Sequence, residues 1–409
     1  MVSQKLFRGI LNSEEQKMAL ISLRAQQLEE SATLAVSAKA AKMKADGVDV
    51  VSFGAGEPDF DTPDHIKQAA YDAIKKGMTK YATPANTAAA KEAVVARFKK
   101  ENNLDYKTNQ VILSVGGKEA LYLAIMALMD PGDECIIPVP YWVSYPEMVK
   151  LAQGQSVFIE GKEENSFKLT PDQIAAKITR KTKLFVFNSP SNPGGFTYTP
   201  AETRAIADML MDYPNVIVLS DEMYDKLLYT GEKYLSFAAT RPEMYDRTVT
   251  FNAGSKTYSM TGWRIGYTAG PLEIIKNMAK IQSQTTSGTA TFCQQALAVA
   301  LTGDQACVEQ MRQEFARRAE HMWKRLNAIP GITCVRPTGA FYAFPNVSGA
   351  FKKLGVCNSL DFATKVLEQA HVALVPGSAF GADNYVRLSF ATSMAHIDKG
   401  LDRLQKLLS

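Results

Sequence analysis

Histidine and cysteine are scarce in this 409-residue chain, and their scarcity removes several chemistries at once. The four histidines (His65, His321, His371, His396) stand apart, none paired at metal-ligand spacing. Zinc hydrolysis and Ser-His or Cys-His catalysis therefore have little footing, and no residue is assigned to a metal. The five cysteines (Cys135, Cys293, Cys307, Cys334, Cys357) form no CxxC pair and are odd in number. That pattern argues for buried, reduced thiols in a cytoplasmic protein. No apolar run is long enough to span a bilayer. Lys5, Arg8, Glu14, Glu15 and Lys17 interrupt the start of the chain, where a signal peptide needs an apolar core. Excess charge is missing too: a net +4 makes no basic stripe, so nucleic acid is not the expected partner. Neither a P-loop frame nor GxGxxG occurs, which speaks against P-loop and Rossmann dinucleotide chemistry.

What is present is an ordinary globular composition, 46% hydrophobic and 22% charged, on a length that suggests two or three domains. Strand-like apolar runs recur at Val111–Val115, Cys135–Pro138, Val157–Glu160, Leu184–Asn188, Val216–Ser220, Val249–Asn252 and Ile265–Ala269. Amphipathic stretches separate several of them, among them Lys118–Met129 and Ala201–Met211, the latter with Thr199 as N-cap and Pro200 at N1. The alternation predicts an α/β fold with a mostly parallel seven-stranded sheet in a large domain over 66–302. A long charged helix near Cys307–Ala328 follows. Short strands near Ile332–Pro337, Phe341–Pro345 and Tyr385–Phe390, with helices near Leu360–Ala370 and Ala395–Leu408, predict a smaller α+β domain from 303–409 with 30–65. Residues 1–29 read as an arm or extension.

Ligands of open parallel sheets sit beyond the carboxyl ends of the strands, and the chemically suggestive residues fall there. Lys256 lies in Ser255-Lys256-Thr257-Tyr258, just after a β-branched run, where a lowered pKa would let its amine form a Schiff base with an aldehyde. Arg264, eight residues on, can clamp a phosphate by two contacts. Gly116-Gly117-Lys118 opens a helix whose N–H groups suit the same anion. Asn192, ahead of a proline in Ser191-Asn192-Pro193, can hydrogen-bond a ligand oxygen. Asp221, ending a buried strand, is costly unless it meets a cation such as a protonated pyridine nitrogen, with the Tyr224 hydroxyl reaching a neighbouring ring oxygen. Trp142 offers a flat face for stacking. A phosphate, a pyridine ring and an aldehyde describe pyridoxal 5'-phosphate.

On these residues, and on Phe53-Gly54-Ala55-Gly56-Glu57-Pro58-Asp59-Phe60, Pro140-Tyr141-Trp142-Val143-Ser144-Tyr145, Ser220-Asp221-Glu222 and Gly262-Trp263-Arg264, the chain resembles a class I, fold-type I aminotransferase. The branch it resembles includes aspartate and prephenate aminotransferases. The resemblance implies that Lys256 binds the cofactor and moves the proton, while Asp221 keeps the ring nitrogen protonated. It gives Tyr224 and Asn192 to the phenolic oxygen, Trp142 to the ring face, and Gly116, Gly117, Ser255 and Arg264 to the phosphate. It also implies a homodimer with shared active sites, in which Tyr81 reaches the partner subunit's phosphate. Arg387, with the backbone of Gly56, would grip the substrate α-carboxylate, and Lys118 with Thr33 the distal carboxylate; Trp142 and Asn192 would also touch substrate.

The implied activity is ping-pong transfer of an amino group between aspartate or glutamate and oxaloacetate or 2-oxoglutarate. Prephenate aminotransfer, or both activities together, is the alternative. A PLP-sensing regulator would need an added DNA-binding module, and a degenerate module should have lost Lys256 or Asp221. The chain departs from the usual pattern at Asn86, where glycine is expected, at Ala90-Lys91, at Gly194 and around Thr286–Thr289. Asn86 is expected to keep its turn through a left-handed backbone.

Overall fold

The computed structural model describes residues 21–29 and 32–409, leaving aside the side chains of 32–34 and 84–86. Residues 1–20 of the expected arm and the Thr33 side chain lie outside the described residues. Seven strands build the main sheet: β1 (Val111–Ser114), β2 (Glu134–Val139), β3 (Gln155–Glu160), β4 (Thr182–Asn188), β5 (Ile217–Asp221), β6 (Thr248–Ala253) and β7 (Gly266–Ala269). Their order is β1-β7-β6-β5-β4-β2-β3. All neighbours run parallel except β7, which is antiparallel to both β1 and β6.

A parallel sheet covered on both faces requires strands apolar on both sides, and β4 shows how the sequence meets this. Leu184 and Val186 pack with Leu123, Val149 and Met278 on one face, while Phe185 and Phe187 pack with Ile206, Leu210 and Phe237 on the other. The crossover helix Pro200–Met209 starts as its sequence indicates. Thr199 accepts from the Glu202 N–H while Glu202 reaches back to the Thr199 N–H.

Helix α1 (Ala32–Ala45) precedes this sheet, and α2 (Gly116–Leu128) follows β1. The C-terminal part centres on a long helix, α3 (Ala306–Asn327), and a three-stranded antiparallel sheet in the order β9-β10-β8. Its strands are β8 (Tyr342–Ala343), β9 (Val375–Pro376) and β10 (Val386–Ser389). Phe315, Met322 and Leu326 of α3 share a core with Phe341, Leu388, Leu401 and Leu404. Val51–Ser52 pairs in parallel with Val372–Ala373, tying the chain before the main sheet to the C-terminal part.

Three expectations need correction. Ile332–Pro337 forms no strand: Thr333 makes a single bridge to Asn346. The Cys334 N–H and carbonyl bond instead to Asn327 and Trp323 side chains from α3, and Pro337 has no N–H with which to continue a ladder. Asn86 falls within the helix Pro84–Arg97 and needs no left-handed turn. Cys357 is exposed and Cys307 half-buried, whereas Cys135, Cys293 and Cys334 are buried. Among the described residues no helix is long and apolar enough to cross a membrane.

Candidate active site

A cavity of about 660 Å³ opens beyond the carboxyl ends of β4, β5 and β6. Lys256, Asp221, Tyr224, Asn192, Trp142, Gly117, Ser255, Arg264, Lys118, Gly56 and Arg387 all line it. They come from segments up to several hundred residues apart, so only the fold brings them together. Tyr81 stands outside this lining and is 88% exposed.

Lys256 sits in the short helical turn Gly254–Thr257 at the end of β6. Its Nζ donates to the Gly56 carbonyl and lies 5.7 Å from the centre of the Phe341 ring. Burial brings its pKa down to about 8; Glu57 opposes the shift, and the charges of Arg387 and Arg264 add to it. An amine with that pKa is partly free at neutral pH, as nucleophilic attack on a carbonyl requires.

Asp221 ends β5 with only 4% of its surface exposed. The Tyr145 hydroxyl donates to its Oδ2 at 2.5 Å, and the Met223 N–H to its Oδ1 at 3.3 Å. Burial pushes its carboxyl up to about 6, against the lowering pull of those two donors and of Lys256. Among the described residues it makes no ion pair. A buried carboxylate facing a cavity, with hydrogen-bond donors but no ion-pair partner among the described residues, fits a ligand that brings a cationic ring nitrogen.

Beside it, the Tyr224 and Tyr342 hydroxyls lie 2.9 Å apart, and the Arg387 guanidinium sits 4.6 Å from the centre of the Tyr342 ring. Arg387, on β10, is 2% exposed. It donates to Asn192 Oδ1 at 3.1 Å and to the Gly54 carbonyl at 2.9 Å, while its buried Nε has no partner. Asn192 is itself held by Asn188, whose amide also donates to the Asp221 carbonyl at 3.1 Å. A buried arginine with an unsatisfied donor and no ion pair among the described residues suits a carboxylate ligand.

At the opposite wall Gly116 starts α2 with φ 74, and a Cβ there would come within 2.6 Å of Arg264 Nη2. Glycine at this position allows the arginine to approach the helix N-terminus, which together make an anion cradle. Arg264 has φ 51, an uncommon backbone for a side-chain-bearing residue, and donates to the Thr261 carbonyl at 2.7 Å. Lys118 Nζ lies 5.2 Å from the centre of the Trp142 ring; burial, then Arg264, lowers its pKa. Gly194 has a packing cause: a Cβ there would meet Phe196 Cδ1 at 2.4 Å.

Sequence reasoning did not single out Tyr145, Asn188 and Tyr342. Tyr145 carried a signal, one helical turn beyond Trp142 in the same motif. Tyr342 sat in a short strand-like run with nothing to separate it from core aromatics.

The buried acid, the lysine, the arginine and the anion cradle together fit pyridoxal 5'-phosphate, and comparison with known proteins points the same way. The chain matches the family described as Aminotransferase class I and II over residues 48–404. It is 46% identical over 395 residues to the aspartate/prephenate aminotransferase of Nitrosomonas europaea, covering 95% of this chain and 100% of that protein. It is 48% identical to the aspartate aminotransferase of Geobacillus stearothermophilus, covering 95% and 98%. Among solved structures, the aspartate aminotransferase of Rhizobium meliloti superposes with a TM-score of 0.90 at 42% identity, covering 95% of this chain and 98% of that one. The Thermus thermophilus aspartate aminotransferase with maleate gives 0.89 at 42% identity, covering 95% and 99%. With its cavity, its fold and its sequence all in agreement, the chain belongs to the class I and II aminotransferase family.

Proposed function

We propose that this chain is a pyridoxal 5'-phosphate-dependent aminotransferase moving an amino group between aspartate or glutamate and oxaloacetate or 2-oxoglutarate. The observation that carries the substrate class is the pair of cations at the cavity: buried Arg387 with its unpartnered Nε, and Lys118 over Trp142. A substrate with two carboxylates satisfies both, whereas alanine or an aromatic amino acid gives Lys118 nothing to bind. Thr33, from the N-terminal side of α1, is assigned beside Lys118.

Bound here, the cofactor supplies an aldehyde for amine exchange and a protonated ring that withdraws electrons from the substrate Cα. Asp221 holds the proton on the ring nitrogen, and Tyr145 keeps its carboxylate oriented. Tyr224 and Asn192 address the phenolic oxygen, and Trp142 the ring face. Gly116, Gly117, Ser255 and Arg264 hold the phosphate. Arg387 and the Gly56 backbone fix the α-carboxylate, which decides the Cα–H bond presented to Lys256. Lys256 Nζ then takes that proton as general base.

We assign residues 66–302 to a cofactor-binding domain, 30–65 with 303–409 to a smaller domain, and 1–29 to an arm. A cytoplasmic homodimer is part of the same reading: Tyr81, 88% exposed and away from its own cavity, is suited to reach the phosphate of a second copy.

The test is to mix cofactor-loaded protein with single amino acids and follow its visible spectrum. Loss of the lysine-bound cofactor band at far lower concentrations of aspartate and glutamate than of alanine supports the reading; a band that ignores both dicarboxylates rejects it. A second reading, prephenate as amino acceptor, rests on the name of the Nitrosomonas europaea relative. Adding prephenate to the aminated protein and measuring return of the band decides it.

A further inference from the structure

The segment Phe53–Phe60 contacts both Arg387 and Lys256 through its backbone. The Gly54 carbonyl accepts from Arg387 at 2.9 Å, and the Gly56 carbonyl accepts from Lys256. Glycines have no side chain with which to anchor themselves, so the placement of these two carbonyls must come from their neighbours. At one end Phe53 is fixed: its carbonyl accepts from the Ser389 N–H at 2.8 Å, and its N–H donates to Ala373. Beyond the other end Thr62 donates to the Ser259 carbonyl at 2.6 Å and accepts from the Trp263 ring N–H at 3.0 Å.

Between those points the Thr261 hydroxyl donates to Glu57 Oε2 at 2.7 Å, and an ion pair holds Asp59. Arg318, on α3 and 6% exposed, donates to Asp59 Oδ1 at 2.7 Å across 259 positions of sequence. Its Nε is held by Glu314 at 2.8 Å, one turn back on the same helix. Its guanidinium carbon lies 5.3 Å from the centre of the Phe60 ring and 5.6 Å from that of Phe315, whose rings meet edge to face. Phe315 also packs against Phe341, the ring beside Lys256 Nζ. A fork held on two sides and packed between two rings has little freedom, and Asp59 is thereby fixed in space.

We propose that Arg318 and Asp59 are positioning residues of the reaction: their ion pair sets where the Gly54 and Gly56 carbonyls stand, and through Gly54 the grip of Arg387 on the substrate α-carboxylate. The proposal rests on the dicarboxylate aminotransferase reading given above. Neither residue touches substrate. A displaced Gly54 carbonyl frees one arm of the Arg387 fork, so carboxylate binding suffers before proton transfer does.

The test compares cofactor-loaded wild type, Asp59→Asn, Arg318→Lys and the double variant, using succinate binding by calorimetry, KM and kcat for aspartate, and thermal melting. Asp59→Asn leaves Arg318 paired with Glu314, so the variant avoids stranding a buried charge. The expected result is succinate affinity and KM each weakened about tenfold, kcat within about twofold, and a double variant no worse than the weaker single one. Lowered melting temperature with unchanged succinate affinity would overturn the proposal and leave the pair a brace. Unmoved variants beside a wild type that binds succinate would also sink it, without touching the reading of the enzyme. A wild type that carries cofactor and ignores succinate would instead bring down the dicarboxylate reading and this role with it.

Discussion

The Tyr145 hydroxyl points straight at Asp221, donating to Oδ2 at 2.5 Å inside a site where both residues are buried. Tyr145 lies in the helix Ser144–Leu151 that follows the Trp142 turn, and its ring meets Trp142 edge to face at 5.3 Å. One short segment thus carries both the proposed stacking ring and the group that orients the proposed anchor of the pyridine. A hydrogen bond to a charged group contributes about 1.5–3 kcal/mol. Tyr145→Phe should weaken cofactor affinity by about tenfold to a hundredfold, since each 1.4 kcal/mol is a factor of about ten. Equilibrium dialysis of cofactor against wild type and variant measures this, and equal affinities would remove Tyr145 from the site.

Asp221 also makes a prediction about stability. Its pKa in the folded chain, about 6, lies above its ordinary 3.8, so the folded state holds the proton more tightly than the unfolded state does. That contribution is complete below about pH 4 and disappears as pH rises through about 6, a difference of roughly 3 kcal/mol. Asp221→Asn has no charge to lose. Without cofactor it should therefore melt higher than wild type at pH 8, the gap closing toward pH 4, and by the proposed role it should also lose amino transfer. A wild type that melts higher than the variant at pH 8 would contradict the burial argument.

The lowered pKa of Lys256 has an equally direct consequence. Its amine must be neutral to attack an aldehyde, and burial brings the change of state down to about 8. The rate at which cofactor-free protein captures pyridoxal 5'-phosphate should rise up to pH 8 and then flatten. Stopped-flow absorbance of the lysine-bound band across pH 6 to 10 reports it, and Lys256→Ala should not form that band at any pH. An inflection near the ordinary lysine value would mean that the amine is solvated when cofactor arrives.

Much of this architecture was readable from residues alone, for reasons particular to certain segments. Several of the seven main strands centre on a run of apolar residues, and β4 shows the signal at its clearest in Leu184-Phe185-Val186-Phe187. Lys256 and Asp221 stood out because a charged residue directly after or at the end of such a run is costly without a purpose. Arg387 did not stand out on local grounds: Val386-Arg387-Leu388-Ser389 reads as an alternating strand with an outward arginine. Its burial is imposed by Gly54 and Tyr342, which lie far away in sequence. The two-residue pairing of Val51–Ser52 with Val372–Ala373 is too short to leave a pattern. Ile332–Pro337 misled in the opposite direction, since its backbone partners are α3 side chains that no periodicity registers.

Lys118 and Arg387 should separate by substrate, which makes their comparison the sharpest check on specificity. In the proposed assignment Arg387 faces the carboxylate that every amino acid carries, so Arg387→Ala should raise KM for aspartate and alanine alike. Losing one partner of a buried charge pair costs about 2–5 kcal/mol, at least thirtyfold in affinity. Lys118 is assigned only to a second carboxylate. Lys118→Met keeps an apolar stem against Trp142 and removes the charge, so kcat/KM for aspartate and glutamate should fall by about tenfold to a hundredfold while alanine is little affected. Steady-state rates with aspartate, glutamate and alanine for wild type and both variants supply the comparison. A Lys118→Met enzyme that loses alanine and aspartate equally would show that this lysine serves the phosphate end of the cavity, next to Arg264, and that the distal carboxylate is bound elsewhere.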